Sequence, residues 1–113
     1  MLKKEIEKDI HLKTPIKTYS TLRVSFRYDK GNDYNRARGY YVNLMPCTLT
    51  NQGGISMITT EPMLNQRACV AHTQRFSVKE FRSLLPQATE IAKVVASVKF
   101  NLDLHDFSFE GGI

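Results

Sequence analysis

Arg23 and Arg27 stand four residues apart in the stretch 21–28, which reads T-L-R-V-S-F-R-Y. An extended chain there carries both guanidiniums on one face, with Thr21 and Ser25, and turns Leu22, Val24, Phe26 and Tyr28 to the other. Guanidinium groups bind phosphate oxygens in a planar fork and stack on aromatic rings. The next strand presents Tyr41 and Asn43 on the corresponding side, Arg67 and Arg75 extend the set, and Lys30, Tyr34, Arg36 and Arg38 lie between the strands. Phosphate binders mixed with a tyrosine ring suit single-stranded nucleic acid, whose bases can stack, better than a duplex groove.

Other chemistries find less support. His105 between Asp103 and Asp106 has no further ligand cluster to complete a metal site. His11 falls in a charged leader, and His72 shares a strand face with Ala68 and Val70, where a partly buried histidine is expected. Cys47 and Cys69 are too far apart for a C-x-x-C site and read as reduced core thiols. Gly53-Gly54 belongs to a turn between strands rather than a strand-to-helix phosphate loop. Ser20, Ser25 and Ser56 lack a G-x-S-x-G setting, and Gly111-Gly112 reads as a frayed end. The expectation is a non-enzymatic protein without cofactor, metal or small-molecule substrate.

The charge is unevenly distributed. The chain of 113 residues carries a net +5, with 42% hydrophobic and 24% charged residues. Residues 1–10 hold three lysines against three acids, residues 11–82 eleven Lys/Arg against four acids, and residues 83–113 two against four. Excess positive charge therefore belongs to the predicted sheet region, where it can produce a local positive field. The leader has neither an apolar signal-peptide core nor a hydrophobic anchor, so a cytoplasmic protein with no membrane partner is expected.

The elements that must position these residues can be read from periodicity. Residues 3–13 place Ile6 and Ile10 four apart and predict a short amphipathic helix ended by Pro15. Strands are predicted at about 18–28, from 39 onward, at 55–60 and at 67–74. The loop 29–38 between the first two is read as a mobile basic tip. Pro46 makes the second strand an edge or bulged one. Ser77 and Glu80 form a capping box, and Phe76 and Phe81 a hydrophobic staple. These start a helix whose stripe, Phe81, Leu84, Leu85, Ala88, Ile91, Ala92, Val95 and Val98, faces the sheet. Pro86 kinks or splits that helix, Asn101 caps it, and 102–109 alternate like another short strand.

This gives an α+β domain: a four-stranded antiparallel meander packed on one face by a long C-terminal helix, ββββα. Its parts are a charged leader (1–15), the ββββα domain (16–101) and a tail (102–113). A ββββα unit with a basic, partly aromatic sheet face resembles the whirly and Pur-alpha families of single-stranded-DNA-binding proteins. The resemblance implies a homodimer that binds single-stranded DNA or RNA. Separately, Tyr19-Ser20-Thr21-Leu22 with Arg38-Gly39-Tyr40-Tyr41 resembles small proteins of bacterial mobile elements, which implies no particular activity. A protein-interaction or assembly module, docking through the sheet face or the tail, is the other class the residues allow.

Overall fold

The computed structural model describes residues 4–50, 52, 54–58 and 64–110. The fold is α+β, an antiparallel meander with C-terminal helices packed on one face. Strands β1 (Glu5–Ile16), β2 (Tyr19–Asp29), β3 (Gly39–Leu49) and β4 (Ile55–Ile58) follow one another across the sheet, and β5 (Gln66–His72) also pairs with β3. The turn residues Asn51 and Gly53, the predicted strand end at 59–60 and the Gly111-Gly112 pair lie outside the described residues.

The leader is a strand, not a helix. Its residues alternate as Glu5-Ile6-Glu7-Lys8-Asp9-Ile10, and β2 supplies a partner with the same period: Ile6 lies opposite Phe26 and Ile10 opposite Leu22. Ile6 is buried by this pairing, whereas an isolated short helix would leave both isoleucines mostly in water. The strand bulges between His11 and Ile16, next to Pro15, and Lys17 takes a left-handed conformation (φ 55°) in the tight turn to β2. Proline is tolerated there because β1 is an edge.

Pro46 has a different explanation from the expected one. β3 is not an edge strand, since β2 covers one side and β4 and β5 share the other. β5 pairs with β3 as far as Leu44, and β4 begins pairing at Cys47. Pro46, which has no N–H to donate, sits in the gap that neither strand pairs.

The helical region divides in two, α1 (Val78–Ser83) and α2 (Leu85–Phe100). Pro86 stands in the first turn of α2, where no helical N–H is required. Ser77 caps α1 by accepting the Glu80 N–H (3.3 Å). The return half of the capping box comes from the sheet: the Tyr40 hydroxyl accepts the Ser77 N–H (3.0 Å) and donates to the Ser77 carbonyl (3.2 Å). Asn101 ends α2 in the left-handed conformation (φ 54°).

The core lies between the helices and one sheet face. Leu22, Val24, Phe26, Tyr40, Val42 and Leu44 are fully buried there, together with Ala88, Ala92 and Ala96 of α2. The predicted stripe runs off the core at its far end, since Val98 is 71% exposed and Ala96 takes the inward position. Aromatic rings fill the end near α1: Phe26 stacks on Phe81 at 4.7 Å, and Tyr28, Tyr40 and Phe76 pack around them.

Residues 102–110 form no strand. They run across the core instead, burying Leu104 and Phe109. The Phe109 N–H reaches the Thr89 hydroxyl at 3.2 Å, and the Lys8 ammonium donates to the Ser108 carbonyl. The tail thus joins both β1 and α2.

Two substitutions test this arrangement in urea unfolding. Phe109→Ala is expected to cost about 3–5 kcal/mol, the usual result of emptying a buried aromatic site. Tyr40→Phe keeps the ring but leaves the Ser77 N–H without its partner, and is expected to cost about 1–3 kcal/mol.

Candidate nucleic-acid interface

The sheet face away from the helices carries residues of one parity from each strand. On β2 these are Thr21, Arg23, Ser25, Arg27 and Asp29; on β3, Tyr41, Asn43, Met45 and Cys47; on β5, Arg67 and Cys69. β1 completes the face with acids: Glu5 lies opposite Arg27, Glu7 opposite Ser25 and Asp9 opposite Arg23.

Those acids change the electrostatics of the face. The Arg23 guanidinium grips Asp9 with two hydrogen bonds, 2.7 and 2.9 Å, and Glu7 lies 3.8 Å away. The Asp9 hydrogen bond raises the arginine's pKa further, against the opposing effect of burial. Arg23 is therefore a structural cation with its charge matched. The alternation of acids at 5, 7 and 9 with isoleucines at 6 and 10 was the sequence signal for this pairing.

Tyr41 is buried rather than presented. Its residue is 8% exposed, its hydroxyl donates to the Ala37 carbonyl (2.7 Å), and the Arg67 guanidinium covers its ring at 3.8 Å. A base cannot stack on that side of the ring without displacing the arginine. Arg67 in turn donates to Asp29 at 2.9 Å.

Asp29 anchors the β2–β3 loop. Its side chain accepts the Gly31 N–H (2.7 Å), holds Arg67, and has Arg36 at 3.8 Å. Burial raises the pKa of this carboxyl, but the Gly31 N–H and the guanidiniums of Arg36, Arg67 and Arg27 outweigh it, leaving the group below the ordinary aspartate value. Gly31 is required by its φ of 71° and by space, since a Cβ would stand 2.6 Å from the Arg36 carbonyl oxygen. Beyond it, the Asn32 side-chain oxygen accepts the N–H groups of Tyr34, Asn35 and Arg36 at 2.8–3.0 Å. The segment expected to be a mobile tip is thus a hydrogen-bonded loop.

That loop displays Lys30, Arg36 and Arg38, all exposed, and the Tyr34 ring, which is 94% exposed. Arg75, exposed on the β5–α1 connection, lies at the same end of the sheet, because Gly39 at the start of β3 pairs with His72 at the end of β5. Arg27, near the end of β2, is exposed and makes no hydrogen bond or ion pair among the described residues. The structure therefore brings Arg27, Lys30, Arg36, Arg38 and Arg75 to one end of the sheet, joins Arg67 to Tyr41 and Asp29, and sets Arg23 apart with Asp9. Tyr34, rather than Tyr41, offers the open aromatic surface.

The thiols and histidines also differ from expectation. β5 bulges at Val70, between the partners of Tyr40 and Tyr41. The bulge puts Cys69 and His72 on the same face, with Sγ 3.6 Å from Nε2. Both residues are exposed, so Cys69 is not core filler and His72 is not a core histidine. Partial burial of the Cys69 sulfur raises its pKa, with Arg67 opposing, so the thiol stays protonated at neutral pH. Cys47 is fully buried. His105 lies 3.7 Å from Asp106, both exposed, and the described residues contain no group of three or more His, Cys, Asp or Glu placed to share a metal ion.

The chain matches no protein-family model, no curated protein and no solved structure. The likeness to the whirly and Pur-alpha families is therefore one of architecture, an antiparallel sheet with a C-terminal helix, and identifies no relative.

Asp29 predicts a pH dependence. Its carboxyl is lowered on folding, so its contribution to stability is complete above the ordinary aspartate pKa and disappears as pH falls through the lowered value. Asp29→Asn is expected to lose about 2 kcal/mol at neutral pH, and to lose less further stability than the parent on acidification. Urea midpoints measured from pH 7 to pH 3 check both.

Proposed function

We propose that this protein is a non-enzymatic domain that binds single-stranded DNA or RNA through the basic end of its sheet. The observation that carries the reading is that Arg27, Lys30, Arg36, Arg38 and Arg75 lie at one end of the sheet, with the exposed Tyr34 ring on the loop that carries Lys30, Arg36 and Arg38. Of these five, Arg36 has Asp29 at 3.8 Å, and Arg27 stands opposite Glu5 on β1 and also acts on Asp29. The others keep their charge available for phosphate oxygens, and Tyr34 gives a base a π-face to stack on. It is also the kind of partner implied by the architectural resemblance to single-stranded-DNA-binding domains. The reading differs from a strand-face interface because Arg23 is matched by Asp9 and Tyr41 is covered by Arg67.

The β2–β3 loop suits this role physically. Its backbone is held by Asn32 and Asp29, so long cationic side chains extend from a framework that loses little further freedom on binding. No described helix is long and apolar enough to cross a membrane.

Fluorescence anisotropy with a labelled single-stranded oligonucleotide tests the proposal. Affinity is expected to fall steeply with salt, and each of Lys30→Glu, Arg38→Glu and Arg75→Glu to weaken binding about tenfold and flatten the salt slope. Tyr34→Ala is expected to cost about 1–3 kcal/mol of binding free energy. Lys13→Glu, at the other end of the sheet, serves as the control. Equal effects from Lys13 and the loop cations, or no binding at low salt, would overturn the reading.

A further inference from the structure

A groove of about 430 Å³ runs over the open sheet face beside Arg27. Its floor holds Ser25 and Asn43, which are register partners on β2 and β3, with Arg67 next across the ladder on β5. Neither the Ser25 hydroxyl nor the Asn43 amide has a hydrogen-bond partner among the described residues. Ser25 is 8% exposed and Asn43 half-buried. Both side chains line the groove, where a bound molecule would meet donors and acceptors not already taken by the protein.

The chemistry of the walls narrows the occupant. The Asn43 amide donates and accepts, the Ser25 hydroxyl does both, and Glu7, opposite Ser25 on β1, accepts only. Together they match a flat ring edge that mixes donors and acceptors and includes an amino group. Met45 contributes a polarisable apolar surface to the lining. Arg27, two residues along β2 from Ser25 and without an ion pair, stands about 7 Å away along the strand, in place for an anionic group attached to that ring.

We propose that this groove is a base-binding subsite, in which Ser25, Asn43 and Glu7 read the edge of one amino-bearing nucleobase while Arg27 takes its phosphate. The ligand class rests on the nucleic-acid reading above, but Ser25, Asn43 and Glu7 take no part in that interface. Arg27 connects the two, since it ends the groove and begins the basic end of the sheet. A strand held by the loop cations then has one nucleotide drawn onto the sheet face, which gives base preference to an otherwise electrostatic interface.

NMR titration of the ¹⁵N-labelled chain with adenosine, cytidine, guanosine and uridine 5′-monophosphates, and with ribose 5-phosphate, tests this separately from oligonucleotide binding. At millimolar concentration, at least one amino-bearing nucleotide is expected to shift the Asn43 side-chain amide signals. Ribose 5-phosphate should leave them in place, and uridine monophosphate should act at least threefold more weakly. Ser25→Ala should weaken that response at least fivefold, and Asn43→Leu should weaken nucleotide binding, read at the backbone amide of its register partner Ser25, by as much, while Lys30→Glu with Arg38→Glu should preserve both. Absence of any nucleotide response at Asn43, or an equal response to ribose 5-phosphate, overturns the subsite whatever the oligonucleotide result. Nucleotide binding at Asn43 without oligonucleotide binding keeps the subsite and overturns the loop interface.

Discussion

The Phe26 ring is where the parts of this molecule meet. It lies 4.7 Å from Phe81 of α1, 5.9 Å from Tyr40 of β3 and 6.0 Å from Phe109 of the tail, and it is fully buried. Because a strand alternates its side chains, seating Phe26 inward also commits Leu22, Val24 and Tyr28 to the core and Arg23, Ser25, Arg27 and Asp29 to the other face. A slip of one residue would bury two arginines and an aspartate among aromatic rings, at a cost far above the net stability of a small domain. The outward face is thus a consequence of the core contact.

What that face can do depends on its fourth column. β1 brings Glu5, Glu7 and Asp9 beside the arginines of β2, and the short Asp9 contacts match the charge of Arg23 where it stands. Charges compensated at such distances contribute little to the field beyond a Debye length. The positive excess instead lies where strands end and loops begin, at residues 27–38 and 75. There Asp29 is the main anchor: it holds two arginines and the Gly31 N–H and so shapes the loop that carries the remaining cations.

Cooperation between distant segments recurs throughout the fold. α1 is capped half by its own Ser77 and half by Tyr40 from the sheet. Thr89 of α2 accepts the backbone of the tail, and Lys8 of β1 reaches the tail from the other side. Each link satisfies a polar group that burial would otherwise leave alone, so the ends of the elements are tied down as firmly as their apolar faces.

Patterns with a local cause were legible in the residues themselves. The alternation of β2, the Ser77 start, the Asn101 stop and the inward stripe through Ala92 depend on neighbours one to four positions away, and the sequence by itself determined them, as it did the net positive charge of 11–82. Tertiary structure alone decided the rest. Glu5 to Ile10 reads as a helix or a strand until β2 stands beside it with matching period. Cys69 and His72 share a face only because β5 bulges where it meets β3. Tyr41 lost its exposed surface to Arg67, a residue 26 positions away in sequence. In each case the deciding partner is distant along the chain, and only closing those long loops around Phe26 brings the charges into the register that cancels some and leaves others free.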